Sequence, residues 1–299
     1  MKFIYQICAM AVLITPLIAA DLPVTETDVL NHRITLSEFP RRIVSLAPSN
    51  TELVYAVGAG DQLVGVTTYC DYPPEASGIT RVGGFSITSL EKIVSLRPDL
   101  VLAARLNPLE VLESLCQLDV PVFILAPGSL EETFLTIRLV GRLTGKTAGL
   151  DSLESELKER IQAVEESVRS IPHQDRPRIL WGLLQAPMYT AGGGSFIDDL
   201  IGLAGGVNIA SDSGEGWPQI GLETIVAKNP EVIITSVSTE EVAAELARLQ
   251  VTDGWKEVDA IIQSRVYYID SNLLQRPGPR LVDGLEQLVK VIHPGRFGQ

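Results

Sequence analysis

LDSLESELKERIQAVEESVRSI, residues 150–171, is the stretch on which the architecture turns. Leu150, Leu153, Leu157, Ile161, Val164, Val168 and Ile171 recur at spacings of three and four, which puts them on one face of a helix. Glu154/Lys158, Glu156/Arg160 and Glu165/Arg169 stand four apart on the opposite face, a spacing that brings opposite charges together. Pro172 and Pro177 close the run. The segment, taken as 147–171, reads as one long bridging helix.

On both sides of it the chain alternates short apolar strands with helical periodicity. Before it, strands are read at 43–46, 63–66, 100–103 and 122–125, with helices at 90–96 and 111–118 and a capped helix start at Ser49-Asn50-Thr51-Glu52. After it come a strand at 178–181, helices at 196–203 and 222–227, and a strand at 232–235. Such alternation predicts an α/β fold of two lobes with mostly parallel sheets, residues 41–146 and 176–299, joined by one interdomain helix.

The two lobes carry a matching unit. LEKIVSLRPDLVLA (90–103) aligns without gaps on LETIVAKNPEVIIT (222–235), sharing Leu, Glu, Ile, Val and Pro. A helix followed by a strand constrains the apolar positions but not the shared acid, so Glu91 and Glu223 are set apart as like charges at equivalent points. That arrangement suits docking onto a two-fold symmetric partner.

Composition narrows the class. Apolar residues make up 45% of the 299, charged residues 20%, and the net charge is −13, a balance that disfavours nucleic acid or anionic lipid as a partner. Residues 1–20 read as a cleaved signal peptide: Lys2, an apolar run from Ile7 to Ile18, then Ala19-Ala20 before Asp21. The run is shorter than the about 20 residues of a membrane span. Cys8 follows the bulky Ile7, which argues against processing as a lipoprotein, and Cys70 and Cys116 are left either paired or free.

No catalytic or metal constellation emerges. Gly141 to Thr147 has one residue too few between its glycines for a phosphate loop, and Gly192-Gly193-Gly194-Ser195 reads as a tight turn whose amides could also cradle an anion. His32, His173 and His293 lack metal-ligand spacing, and neither a Gly-x-Ser-x-Gly elbow nor a His-Glu-x-x-His helix occurs, so no enzyme and no metal site is expected. Aromatics are only 6% of the chain, yet Tyr69, Tyr72, Phe85 and Trp217 fall on Gly- or Pro-rich loops outside the regular elements. In parallel sheets such loops carry the ligand, and flat side chains from both lobes suit a large planar one.

RIVSLAPSNTE (42–52), YCDYPP (69–74), LEKIV (90–94), WPQ (217–219) and RPGPR (276–280) together resemble the cobalamin and iron-chelate binding proteins of ABC importers, over residues 41–291. The likeness is greatest to the cobalamin-binding branch. It implies a periplasmic, monomeric binder that holds a corrinoid between its lobes as transported ligand, without a cofactor, and passes it to a dimeric membrane permease. By motif, Tyr69, Phe85, Trp217 and the segment Asn272, Leu273, Leu274, Gln275 and Arg276 fall on ligand contacts. Glu91 and Glu223 fall on the permease-docking acids. The segment keeps Arg276 but departs from the corrinoid pattern at Asn272, Leu273 and Leu274, which leaves an iron-siderophore or haem as the alternative ligand.

Overall fold

The computed structural model describes residues 22–182, 184, 187–236 and 239–295, so the signal peptide read at 1–20 lies outside the described residues. A five-stranded sheet, ordered β5-β4-β3-β6-β7, is built from Ile43–Ser45 (β3), Leu63–Val66 (β4), Thr80–Arg81 (β5), Leu100–Ala104 (β6) and Val122–Leu125 (β7). Every pairing within it is parallel. A four-stranded sheet, ordered β11-β10-β8-β9 and again parallel throughout, uses Arg178–Trp181 (β8), Val207–Asn208 (β9), Val232–Thr235 (β10) and Val266–Tyr268 (β11). Parallel strands are covered on both faces, hence the unbroken apolar spelling of VFIL and the apolar run VII that opens VIIT. An antiparallel hairpin, Val24–Thr27 (β1) with Arg33–Leu36 (β2), precedes the first sheet, outside the stretch where alternation is legible.

The helices are Pro48–Ala56 (α1), Leu90–Ser95 (α2), Leu109–Gln117 (α3), Leu130–Thr144 (α4), Leu150–Val168 (α5), Phe196–Leu203 (α6), Leu222–Lys228 (α7), Thr239–Leu249 (α8), Asp259–Ile262 (α9), Ser271–Leu274 (α10) and Leu281–Ile292 (α11). Successive strand residues point to opposite faces, which sorts the cores. On the outer face of the first sheet Val44, Val101 and Ile124 pack with Ile93 of α2 and Leu115 of α3. On the outer face of the second, Leu180 and Ile233 pack with Ile225 of α7 and Ile261 of α9. The two inner faces share one apolar cluster, from Leu102 and Phe123 through Leu157, Ile161 and Val164 of α5 to Leu200, Val232 and Leu285.

The bridging helix is thus glued to both lobes, and charge reinforces the packing differently from the local pairs read in the sequence. Only Glu154–Lys158 forms as expected, at 2.5 Å. Arg138 of α4 reaches Glu154 at 2.5 Å and Asp151 at 2.9 Å. Arg160 turns away from Glu156 to Asp283 and Glu286 of α11, at 2.6 and 2.8 Å, and Arg169 faces Glu166 at 3.9 Å. For Arg160 the partners across the helix–helix seam win over the intrahelical one because packing holds them already in place. The Gly141 to Thr147 segment is the end of α4, with Gly145 in the left-handed C-cap at φ 72° against the Phe39 ring. Cys70 is buried and Cys116 exposed, and both are free thiols.

The hydrogen bond from Arg160 holds the Glu286 carboxyl below its ordinary 4.5, with burial acting in the opposite direction. A carboxyl depressed by folding stabilises the protein above its unfolded pKa, and that contribution is lost as pH falls through the folded value. The thermal midpoint of the wild type is therefore expected to fall more steeply below about pH 4.5 than that of Glu286→Gln, the two curves converging in acid. Parallel midpoint curves would show that this pair does not titrate with folding.

Candidate functional site

The carboxyl ends of the strands from both sheets point into one cleft. A 430 Å³ cavity there is walled by Ala47 to Asn50 after β3, Ala104 to Leu106 after β6 and Leu125 to Gly128 after β7 on one side. Phe196, Gly216 and Trp217, with Gln275 to Pro277, form the other. It adjoins a 1010 Å³ chamber lined in part by the same Arg105, Leu125 to Gly128, Ser195 and Gly216. Together they open a slot larger than a drug-sized pocket needs.

Each lobe presents an aromatic to this slot from a braced loop. Trp217, 45% exposed, leans on Trp181 at 5.4 Å and edge-on to Phe196 at 5.6 Å between ring centroids. Its loop is zipped to the neighbouring segment by Thr190 N–H to Pro218 O, Gly192 N–H to Gly216 O and Ile220 N–H to Met188 O. A Cβ on Gly192 would lie 2.0 Å from Gly214 O, so only glycine permits that approach. Phe85 lines the opposite wall, its carbonyl taken by Asn107 Nδ2 at 3.0 Å. The gapless register that pairs Leu90 with Leu222 also pairs Gly84-Phe85 with Gly216-Trp217, so the two aromatics are equivalent positions of a longer repeat.

The Gly192 to Ser195 turn does not cradle an anion. Its four amides go to Gly216 O, Gly214 O, Asp198 Oδ2 and Gly192 O, and Ser195 caps α6 by accepting from Asp198 N–H. Tyr69, 60% exposed, sits at the rim outside the cavity lining, its ring 3.6 Å from where a Cβ of Gly84 would lie. Of the 272–276 segment, Gln275 and Arg276 reach the cavity. Leu273 and Leu274 do not: both are buried, and the Leu273 carbonyl and Leu274 side chain press on the position of Gly284, because α10 packs on α11. Asn272 is half-buried outside the lining, its amide donating to Asp270. Of the five residues, the cavity lining thus includes the last two.

Glu52 does not close a capping box with Ser49; α1 starts at Pro48, and its N-cap Ala47 makes no side-chain bond. Instead Glu52, 4% exposed, accepts from Arg280 Nε at 2.8 Å and Nη2 at 2.6 Å and from Arg276 Nη1 at 3.0 Å. Arg276 also donates to Asp71 at 2.6 Å and to the Tyr69 carbonyl, while Arg280 stacks 3.9 Å over the Tyr72 ring. The carboxylates belong to the first lobe and the guanidiniums to the second, so this cluster clamps one side of the cleft. Burial opposes both charges. Hydrogen bonding from Arg276 nonetheless carries Asp71 below its ordinary range, and Glu52 holds Arg280 above its own.

The matched acids sit on the outer layer of helices. Glu91 and Glu223 each occupy the first turn, of α2 and α7, and both are exposed, while Ile93 and Ile225 two residues on anchor those helices in the outer cores. Sequence reading passed over Phe196, Asn107 and Arg105. Their common signal is position directly after a strand or turn, which acquires meaning only once strand order is known.

Removing the charge of Glu52 strands Arg280 in a largely buried site and leaves Arg276 only its exposed partner Asp71. Glu52→Gln is expected to lower the unfolding free energy by about 3 kcal/mol. Asp71→Asn should cost less than about 1 kcal/mol. Equal losses in denaturant titrations would contradict the burial difference.

The chain resembles proteins already described. It is 34% identical to the ABC transporter substrate-binding lipoprotein YvrC of Bacillus subtilis over 92% of this chain and 87% of that one. The vitamin B12 binding protein BtuF of Vibrio cholerae superposes with a TM-score of 0.72 at 31% identity, covering 85% of this chain and 97% of the other. The heme-binding protein RhuT of Roseiflexus does so with 0.74 at 29%, covering 86% and 99%. A family model described as periplasmic binding protein matches residues 43–273. With two α/β lobes, one bridging helix and an aromatic-walled cleft between them, the chain belongs to the periplasmic binding protein family.

Proposed function

We propose that this protein captures a corrinoid in the interlobe cleft and delivers it to the membrane permease of an ABC importer. The observation that carries the ligand class is the pair of aromatic side chains, Phe85 and Trp217, at equivalent points of opposite lobes on one cavity. Flat, rotamer-poor surfaces facing each other across a slot favour a broad, rigid macrocycle over a small flexible solute. The likeness to BtuF supports the same reading. Tyr69 at the rim, Gln275 and Arg276 complete the proposed contacts.

Haem or an iron chelate is the second reading. Tyr69, exposed at the edge of the cleft, offers a phenolate of the kind that ligates iron, and RhuT is a heme binder of similar fold. Secretion through the 1–20 signal peptide and action as a monomer belong to the same proposal.

Titrating the mature protein with cyanocobalamin, haemin and ferric siderophores by tryptophan quenching separates the readings, with Trp217 as reporter. Saturable quenching by cyanocobalamin is the expected result, and titration calorimetry should show its affinity reduced at least about tenfold by Trp217→Ala. Tight haemin binding with no corrinoid response would replace the first reading by the second.

Glu91 and Glu223 are the proposed docking acids. Their exposure, their place at the heads of equivalent helices and their distance from the cleft lining support it. Glu91→Arg with Glu223→Arg should cut ligand import at least about tenfold while leaving ligand affinity within about twofold. Full import by the double variant would remove the assignment.

A further inference from the structure

The cations around the cleft are nearly all spoken for. Arg276 and Arg280 face Glu52, and Arg276 also meets Asp71. In the adjoining chamber Arg142 holds Glu26 at 2.8 Å and Arg138 holds Glu154 and Asp151. Arg105 is the exception: it is exposed, lines both cavities, and its side chain has no hydrogen-bond or ion-pair partner among the described residues.

Its placement is fixed even though its side chain is not. Arg105 follows β6 in a tight turn whose geometry Asn107 imposes. The Asn107 side chain accepts from Ala104 N–H at 2.7 Å and donates to Leu46 O and to Phe85 O, each at 3.0 Å. Asn107 is itself buried, at 5% exposure, so the end of β3, the Phe85 loop and the Arg105 turn move as one body. The backbone that carries this unpaired guanidinium thus stands at a set distance from the aromatic wall, at the junction between cavity and chamber.

We infer that Arg105 forms an anion subsite of this cleft, which reads an oxyanion substituent of the bound macrocycle. This rests on the proposed macrocycle reading. A guanidinium matches phosphate and carboxylate oxygens by paired hydrogen bonds, and in a cleft partly shielded from water such charge-assisted bonds are stronger than neutral ones. Arg276 is a poor candidate for that task, because an incoming anion would have to displace two carboxylates that already hold it. Among the chamber's other charged residues, Arg138 and Arg142 are held by carboxylates and acids such as Glu132 and Glu215 repel anions, so Arg105 determines where the acidic group of a ligand is seated. A corrinoid brings such a group as the phosphodiester of its nucleotide loop, and a porphyrin brings it as propionate carboxylates.

Paired ligands separate these sources. Cyanocobalamin is compared with dicyanocobinamide, which lacks the phosphodiester, and haemin with its dimethyl ester, in which the carboxylates are capped. Arg105→Gln is expected to weaken the anionic member of the binding pair at least about tenfold and to leave the neutral member within about twofold. Arg105→Lys should recover part of the loss, and added salt should narrow the gap between wild type and Arg105→Gln. A loss confined to the corrinoid pair assigns the phosphodiester; one confined to the porphyrin pair assigns the carboxylate. Arg105→Gln that binds all ligands like wild type, or that weakens anionic and neutral members equally, overturns the subsite while leaving the macrocycle reading intact. Wild-type protein that takes up none of the four would overturn the macrocycle reading and the subsite with it.

Discussion

The burial of one face of α5 is the constraint on which the rest of this structure depends. Leu157, Ile161 and Val164 belong to a single apolar cluster that continues into the inner faces of both sheets. Removing that face from water stabilises the protein only if α4 lies against one part of the helix and α6 and α11 against another. The lobes are therefore held by the same packing that forms their cores. Ion pairs from Arg138 and Arg160 lock the rotation of the helix against each side. A connection of this kind resists the large hinge motion that a flexible linker would allow.

From that frame the cleft follows. Two parallel sheets bridged by one helix turn their carboxyl ends toward a shared gap, and the loops there are free to vary without disturbing either core. What they carry is hydrophobic surface braced by hydrogen bonds: the Trp217 loop zipped to Met188–Gly192, and the Phe85 loop tied by Asn107. A rigid aromatic wall loses little entropy when a ligand arrives, which suits capture of a scarce solute. On one side the Glu52 cluster draws the lobes together and neutralises Arg276.

The outer helices serve a different purpose from the inner ones. α2 and α7 are short, each anchored by one isoleucine, and each lifts a glutamate into solvent at its first turn. An acid near a helix N-terminus is compatible with the local dipole, so it costs the fold little to hold a charge there. The aromatic and the acid of each lobe are six residues apart in a single repeated unit, GF…LE and GW…LE, which joins the cleft-facing loop to the outer surface.

The strands at 43, 63, 100, 122, 178 and 232 and the long helix were legible in the chain because periodicity and Gly/Pro punctuation are local properties. So was the matched pair of glutamates, since a gapless repeat needs no coordinates. The hairpin at 24–36, α4, α8 and α11 went unread, and pairings went astray where a distant partner outcompeted a near one, as with Arg160 and Glu52. Leu273 and Leu274 show the same limit: a motif places them beside the ligand, while the packing of α10 on α11 turns them inward. The amino-acid sequence by itself determined the elements, their α/β order and the repeat. Only the tertiary structure decided which charges remain unpaired in the cleft, because pairing depends on separations through space between residues more than two hundred positions apart, as between Glu52 and Arg276.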